Sequence, residues 1–161
     1  MTQNEQFMLL ALEQAHLAQT KNEVPVGAII IDGNQNVIAR GHNTVFGLKS
    51  IIGHAEINTI LEATQKLGTS RLISCSIYVT LEPCLMCIGT IMQARLSHLY
   101  YGANSYVYGA LSKHLVAESS LHFKIHKQIL AAPSIVLLQD FFKKKRSCQL
   151  CLAVDPTLAI D

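Results

Sequence analysis

Apolar positions recur at helical spacing near the start of the chain: Met8, Ala11, Leu12, Ala15 and Ala18 stand at i, i+3, i+4, i+7 and i+10. Thr2 with Glu5 three residues on reads as a capping box, so residues 4–20 form an amphipathic helix. Val24 to Ile31 then reads as a strand, with Pro25 near its start or at a position free of the ladder because proline has no amide hydrogen. Asp32-Gly33-Asn34 is turn chemistry, and Val37 to Arg40 returns as the partner strand of a hairpin. Gly41 to Gly53 shows no period and reads as a loop. Ile57, Ile60, Leu61 and Leu67 predict a helix from about His54 to Leu67, closed by Gly68. Ile77-Tyr78-Val79-Thr80 is a β-branched and aromatic strand, and Pro83 opens a further helix carried on by Leu85, Ile88, Ile91 and Met92. Leu99-Tyr100-Tyr101 and Ile135-Val136-Leu137-Leu138 read as two more strands, with an unpatterned stretch between them from Gly102 to Pro133. The last helix is predicted to begin near Asp140.

Strands alternating with helices from residue 24 onward predict an α/β fold, a three-layer αβα sandwich. The opening hairpin makes its central sheet of about five strands mixed. With 161 residues the chain is long enough for one core without a disulfide staple. The expectation is a single domain over residues 1–153, with 154–161 a frayed tail. Half of the residues are hydrophobic and 15% are charged, which excludes an intrinsically disordered chain. The apolar runs fall far short of the ~20 residues that cross a bilayer, so no membrane span is expected. The opening Met1-Thr2-Gln3-Asn4-Glu5 lacks the basic region of a secretory signal, and the expected location is cytoplasmic.

The net charge of +2 neither indicates nor excludes a nucleic-acid partner. Its distribution says more, because Lys143, Lys144, Lys145 and Arg146 cluster after Phe141-Phe142. Such a run is either a solvated helix end or a contact to a phosphate backbone. Five cysteines, at 75, 84, 87, 148 and 151, are an odd count and point to free thiols or metal ligands. Cys75 reads as a small core residue. Cys148 and Cys151 read as free thiols, or as closing ligands of a metal site.

Three side chains suited to zinc stand at helix starts: His54, and thirty residues later Cys84 and Cys87. Cys84 and Cys87 are at i and i+3, share a helix face and can grip one ion. A helix N-terminus also favours the thiolate that binds metal. His54 and Glu56 are two apart and cannot share a face, so both serve one site only if their helix meets it end-on. Helices 54–67 and 84–95 are therefore predicted to aim their N-termini at one point. Three protein ligands leave a fourth tetrahedral position for water, the arrangement of a catalytic zinc; recruitment of Cys148 and Cys151 would instead close the site. Zinc lowers the pKa of bound water to about 7, and an unliganded Glu56 can take and pass on that proton.

H-A-E followed by P-C-x-x-C is a zinc deaminase signature. Together with Glu23-Val24-Pro25-Val26-Gly27-Ala28, Gly41-His42-Asn43, His54-Ala55-Glu56-Ile57 and Tyr78-Val79-Thr80-Leu81-Glu82-Pro83-Cys84-Leu85-Met86-Cys87, it makes the chain resemble the bacterial tRNA-specific adenosine deaminases. Asp140-Phe141-Phe142 and the basic residues after it resemble that family's last helix. The resemblance implies a cytidine deaminase-like fold, a homodimer, and hydrolytic conversion of adenosine to inosine at the wobble position of a tRNA anticodon. It implies one Zn2+ per subunit, with a bound water or hydroxide, on His54, Cys84 and Cys87. Glu56 would be the catalytic acid and base, Asn43 would hydrogen-bond the flipped base, and Val26 and Ala55 would belong to the pocket. Lys143, Lys144, Lys145 and Arg146 would contact the anticodon arm.

The chain departs from that pattern in two places. Ser50-Ile51-Ile52-Gly53 stands where the family has Asp-Pro-Thr-Ala, and Asn104-Ser105-Tyr106-Val107-Tyr108 lacks the Asp and Lys that the family carries in a segment which, in that family, faces the nucleic acid. Tyr106 and Tyr108 either stack on unpaired bases or are ordinary core or surface tyrosines. Two other functions stay open at this point: deamination of a free nucleobase or nucleoside of guanine or cytosine type, and a non-catalytic zinc-stabilised RNA-binding module.

Overall fold

The computed structural model describes residues 1–147; Cys148, Cys151 and the predicted frayed segment 154–161 lie outside the described residues. Helix α1 (Gln3–Thr20) starts at the capping box, with the Thr2 hydroxyl accepting from the Glu5 amide and the Glu5 carboxylate accepting from the Thr2 amide. Both amides at the helix start are satisfied reciprocally. The buried residues of α1 are the expected stripe, Met8, Ala11, Leu12, Ala15 and Ala18.

Five strands form one sheet: β1 (Gly27–Ile31), β2 (Val37–His42), β3 (Ser76–Leu81), β4 (His98–Ala103) and β5 (Lys124–His126), in the order β2-β1-β3-β4-β5. β1 runs antiparallel to β2 and β3, whereas β3, β4 and β5 are parallel, so the sheet is mixed as predicted. Alternation along each strand sorts the side chains between two faces. Ala28, Ile30, Ile77, Val79, Leu99 and Tyr101 pack in one cluster with Ile60, Ile88 and Ile91. These last three come from α3 (Ala55–Leu67) and α4 (Leu85–Gln93). Ile29, Ile31 and Tyr78 meet Met8 and Ala11 of α1 on the other face. Helix α5 (Ala131–Ser147) contacts α1 and β4, completing the outer layer on that side.

On the α1 side the rings of Tyr78, Tyr100 and His126 stack across β3, β4 and β5, with centroids 4.3 and 4.2 Å apart. His126 Nε2 lies 3.2 Å from His98 Nδ1. This stacking holds an edge strand of three residues whose single aliphatic side chain is Ile125.

Several expected boundaries move. β1 begins at Gly27, past Pro25, and the stretch read as a loop contributes the end of β2 and a four-residue helix, α2 (Val45–Leu48). The core face of α3 is Ala55, Glu56, Thr59, Ile60 and Ala63, while Leu61 and Leu67 are exposed, so the apolar residues that announced the helix are largely not the ones it buries. Helix α3 does end at Gly68, in the left-handed conformation. The strand expected at Ile135–Leu138 is instead part of α5, and the fifth strand lies at Lys124–His126 in the stretch that showed no pattern. Pro133 falls in the first turn of α5, where a missing amide hydrogen costs nothing.

Candidate metal centre

His54 is the N-cap of α3 and Cys84 the N-cap of α4, both with extended backbone, and Cys87 lies in the first turn of α4. The two helices approach one another beside the ends of β2 and β3, so both N-termini point at one place, as their spacing predicts. His54 Nδ1 is 3.7 Å from Cys84 Sγ and 3.4 Å from Cys87 Sγ, and the two sulfurs are 3.6 Å apart. Tetrahedral zinc with Zn–S near 2.3 Å and Zn–N near 2.0–2.1 Å sets its ligand atoms about 3.5–3.8 Å apart. The donor set and its spacing therefore fit zinc. Among the described residues these three form the group of His, Cys, Asp or Glu side chains able to hold a metal ion.

The electrostatics agree with that reading. The neighbouring Cys87 thiol, followed by the His54 ring, holds the Cys84 thiol down at about 4. The bond to Cys84, followed by burial, pushes the Cys87 thiol up. The bond to Cys84 raises His54. Glu56 is 4% exposed, and burial pushes its carboxyl up to about 7. It is an acid placed beside Cys87 rather than in the ligand triangle.

Val26, Asn43 and Ala55 are joined to one another by hydrogen bonds, and Ala55 follows His54 directly in the chain. Asn43 is buried at the end of β2, its backbone amide donating to Val26 O at 3.1 Å and its Oδ1 accepting from the Ala55 amide at 2.9 Å. That backbone donor fixes the side-chain amide orientation, with Oδ1 toward the Ala55 amide and Nδ2 on the opposite side. Ala55 is fully buried and its amide is engaged by Asn43, so it holds Asn43 in place. Val26 is buried immediately before β1. At the far end of α5, Lys143, Lys144 and Arg146 are exposed, whereas Lys145 turns back over the Phe141 ring, 5.4 Å from its centroid.

Three side chains to which the sequence reading gave no role brace the segments around the metal centre. The buried Glu23 carboxylate accepts from the Phe46 and Gly47 amides, at 3.1 and 2.6 Å, and anchors α2. Asn58 Nδ2 donates to His42 O and Thr44 Oγ1, pinning the segment between β2 and α3. Glu82, buried two residues before Cys84, accepts from the Ser105, Leu111 and Ser112 amides. Its carboxylate also accepts from the Ser112 hydroxyl, and a carboxylate held by backbone amides and one hydroxyl of a distant loop leaves no oppositely charged residue in the sequence to reveal it. The available signal was an acid at the end of an apolar strand, Thr80-Leu81-Glu82.

Residues 1–103 match the family described as the cytidine and deoxycytidylate deaminase zinc-binding region. The chain is 43% identical over 141 residues to the tRNA-specific adenosine deaminase of Rickettsia felis, covering 84% of this chain and 98% of that protein. A structure from a study of A-to-I editing by tRNA:A34 deaminases at the wobble position superposes with a TM-score of 0.76 at 36% identity, covering 83% of this chain and 99% of the other. A guanine deaminase from Nitrosomonas europaea shares the fold, with a TM-score of 0.77 at 20% identity over 92% of this chain and 87% of its own. No helix among the described residues is long and apolar enough to cross a membrane.

Proposed function

Because the chain belongs to the tRNA-specific adenosine deaminase family of zinc-binding deaminases, we propose that it converts adenosine to inosine at the wobble position of a tRNA anticodon. One observation carries this reading: His54, Cys84 and Cys87 converge at ligand spacing, with the buried acid Glu56 beside them and outside the triangle. When bound, zinc supplies a water acidified to a pKa of about 7. His54, Cys84 and Cys87 would hold the ion. Glu56 would take one proton from the attacking water and place it on the ring nitrogen as the C6–O bond forms, then carry the second proton from the new C6 hydroxyl to the amine, so that the C6–N bond breaks, ammonia leaves and the C6 carbonyl remains. Burial of Glu56 keeps its carboxyl protonatable near neutral pH, as proton delivery requires. Asn43 offers Nδ2 to the flipped base, Val26 walls the pocket, and Ala55 keeps Asn43 in register.

The exposed Lys143, Lys144 and Arg146 suit the phosphates of the anticodon arm. Exposed Phe46, Leu48, Ile51 and Ile52, close together along the chain near the site, suit a homodimer contact. The cytoplasm, where tRNA is found, is the location that follows.

The experiment is inosine formation on an anticodon stem-loop, run beside ammonia release from free guanine, cytosine and adenosine. Turnover of the stem-loop adenosine is expected. Turnover of free bases alone would move the assignment to a nucleobase deaminase. Glu56→Ala should retain one zinc per chain and the fold while losing turnover; full loss of the metal would make Glu56 a ligand. Retained turnover would leave an acid with no catalytic part.

A further inference from the structure

The turn from Ser105 to Gly109 is tied to the metal centre. Gly109 N donates to Ser105 O at 2.8 Å and Tyr108 N donates to Ser105 Oγ at 3.3 Å, closing the turn on itself. Both ends are then clamped by one buried carboxylate. Glu82 Oε2 accepts from Ser105 N at 2.9 Å, and Oε1 accepts from Leu111 N and Ser112 N at 3.0 and 2.7 Å. The clamp also engages the ligand segment directly: Ala110 N donates to Pro83 O at 3.0 Å, and Gly109 forms a β-bridge with Cys84. A Cβ at Gly109 would stand 2.4 Å from Glu82 Cδ, so the close approach needs glycine there.

At the tip of this turn Tyr106 is 75% exposed and Tyr108 63% exposed, with Val107 between them half open. Two exposed tyrosines cost solubility and contribute nothing to the core. The segment 104–114 holds no acidic side chain and ends in exposed Lys113 and His114. Flat π-faces on a turn without negative charge, one residue pair from a zinc ligand, match a polyanion with unpaired bases.

We propose that Tyr106 and Tyr108 form a stacking platform for the unpaired nucleotides flanking the target base, and that Glu82 is the positioning residue that holds this platform at the metal centre. The inference rests on the tRNA reading above and deepens it. Base stacking tolerates different flanking bases because every base presents a π-face.

The test uses the full zinc-loaded chain and an anticodon stem-loop carrying 2-aminopurine beside the target adenosine. Binding is read on a Glu56→Ala background, which prevents turnover, and single-turnover inosine formation is read with Glu56 intact. Tyr106→Ala and Tyr108→Ala are each expected to weaken binding at least about fivefold, the loss of one stacked base, and to reduce the quenching of 2-aminopurine fluorescence. Zinc content should stay unchanged, and the loss should appear as a raised stem-loop concentration for half-saturation of the single-turnover rate. The Phe variants, which keep the ring, should restore both affinity and quenching. Glu82→Gln, which turns one acceptor into a donor facing backbone amides, should weaken binding with the same loss of quenching at full zinc content. Unchanged affinity and quenching in both Ala variants, with inosine still formed, would overturn the stacking platform and leave the tRNA reading standing. Absence of inosine with the unmodified chain would overturn the tRNA reading itself, and the platform with it.

Discussion

Gly41 couples the packing of the sheet to the geometry of the metal centre. It lies on β2 opposite Ala28, beneath α3. A Cβ added there would stand 2.3 Å from Thr59 Oγ1, 2.9 Å from Thr59 N and 3.0 Å from Ala55 O. Carbon contacts are comfortable at about 3.5–4.0 Å, so in Gly41→Ala either α3 moves by about 1 Å or Thr59 leaves its rotamer. Rotation is costly, because the Thr59 hydroxyl is fully buried and donates to Ala55 O at 2.6 Å. Overpacking of this kind costs about 1–3 kcal/mol. The displaced turn is the first turn of α3, which carries His54 at its cap and Glu56. A misplacement near 1 Å at a reacting group is worth about 10²-fold in rate. Gly41→Ala is therefore expected to lower the unfolding free energy read from urea titration by that amount and to slow single-turnover inosine formation by one to two orders of magnitude, with zinc content reduced. Adding Thr59→Ala removes the nearest clash but leaves the two with backbone atoms, so it should recover only part of the stability. A Gly41→Ala protein with the stability and rate of the parent would refute the claim that α3 is seated on β2 at this glycine.

Removing zinc by chelation should lower the melting temperature, because a ligand held only by the folded chain stabilises it, by about 2.7 kcal/mol at a free concentration one hundred times its Kd. Zinc and not magnesium should restore it, given two thiolate donors, and a melting curve indifferent to chelation would count against the three-ligand site. Burial lowers the pKa of His126, with His98 adding to the effect, and burial lowers His42, with Lys21 adding. Both groups bind protons more weakly folded than unfolded, so stability is full above the ordinary imidazole value of 6.5 and falls as pH drops below it toward the folded values. The urea midpoint of the zinc-loaded chain should decline from pH 7 to 5, and His126→Asn should flatten part of that slope; an unchanged slope in that variant would remove His126 from the account. Stem-loop binding should weaken with salt, and alanines at Lys143, Lys144 and Arg146 should reduce the slope of log Kd against log salt by about 0.7 for each phosphate no longer neutralised. An identical slope would return those residues to solvent.

The parts of this molecule that could be read from its sequence are those where chemistry and position coincide locally. Helix α1 announced itself through a cap and a stripe within one segment, and the zinc ligands through i, i+3 spacing and a histidine opening another helix. The misread parts depend on distant partners. Ile135-Val136-Leu137-Leu138 is apolar throughout, yet Ile135 and Val136 are exposed, and four such residues have no period to separate strand from helix. β5 was invisible because its hold on the sheet comes from His126 stacking on Tyr100 rather than from an apolar run. Glu23 and Glu82 stand in the motifs, but their roles are not legible there for a related reason: the backbone amides they hold lie 23 to 30 residues away.

His54 and Cys84 occupy helix N-cap positions and make no side-chain cap bond there. Asparagine, aspartate or serine at such a position stabilises a helix by about 1 kcal/mol over residues that cannot cap. Robustness and reactivity therefore pull in opposite directions at these two points. A screen that rewarded heat tolerance alone, with no zinc supplied and no turnover demanded, would be drawn to His54→Asn and Cys84→Ser, and would yield sturdier proteins that have ceased to be enzymes.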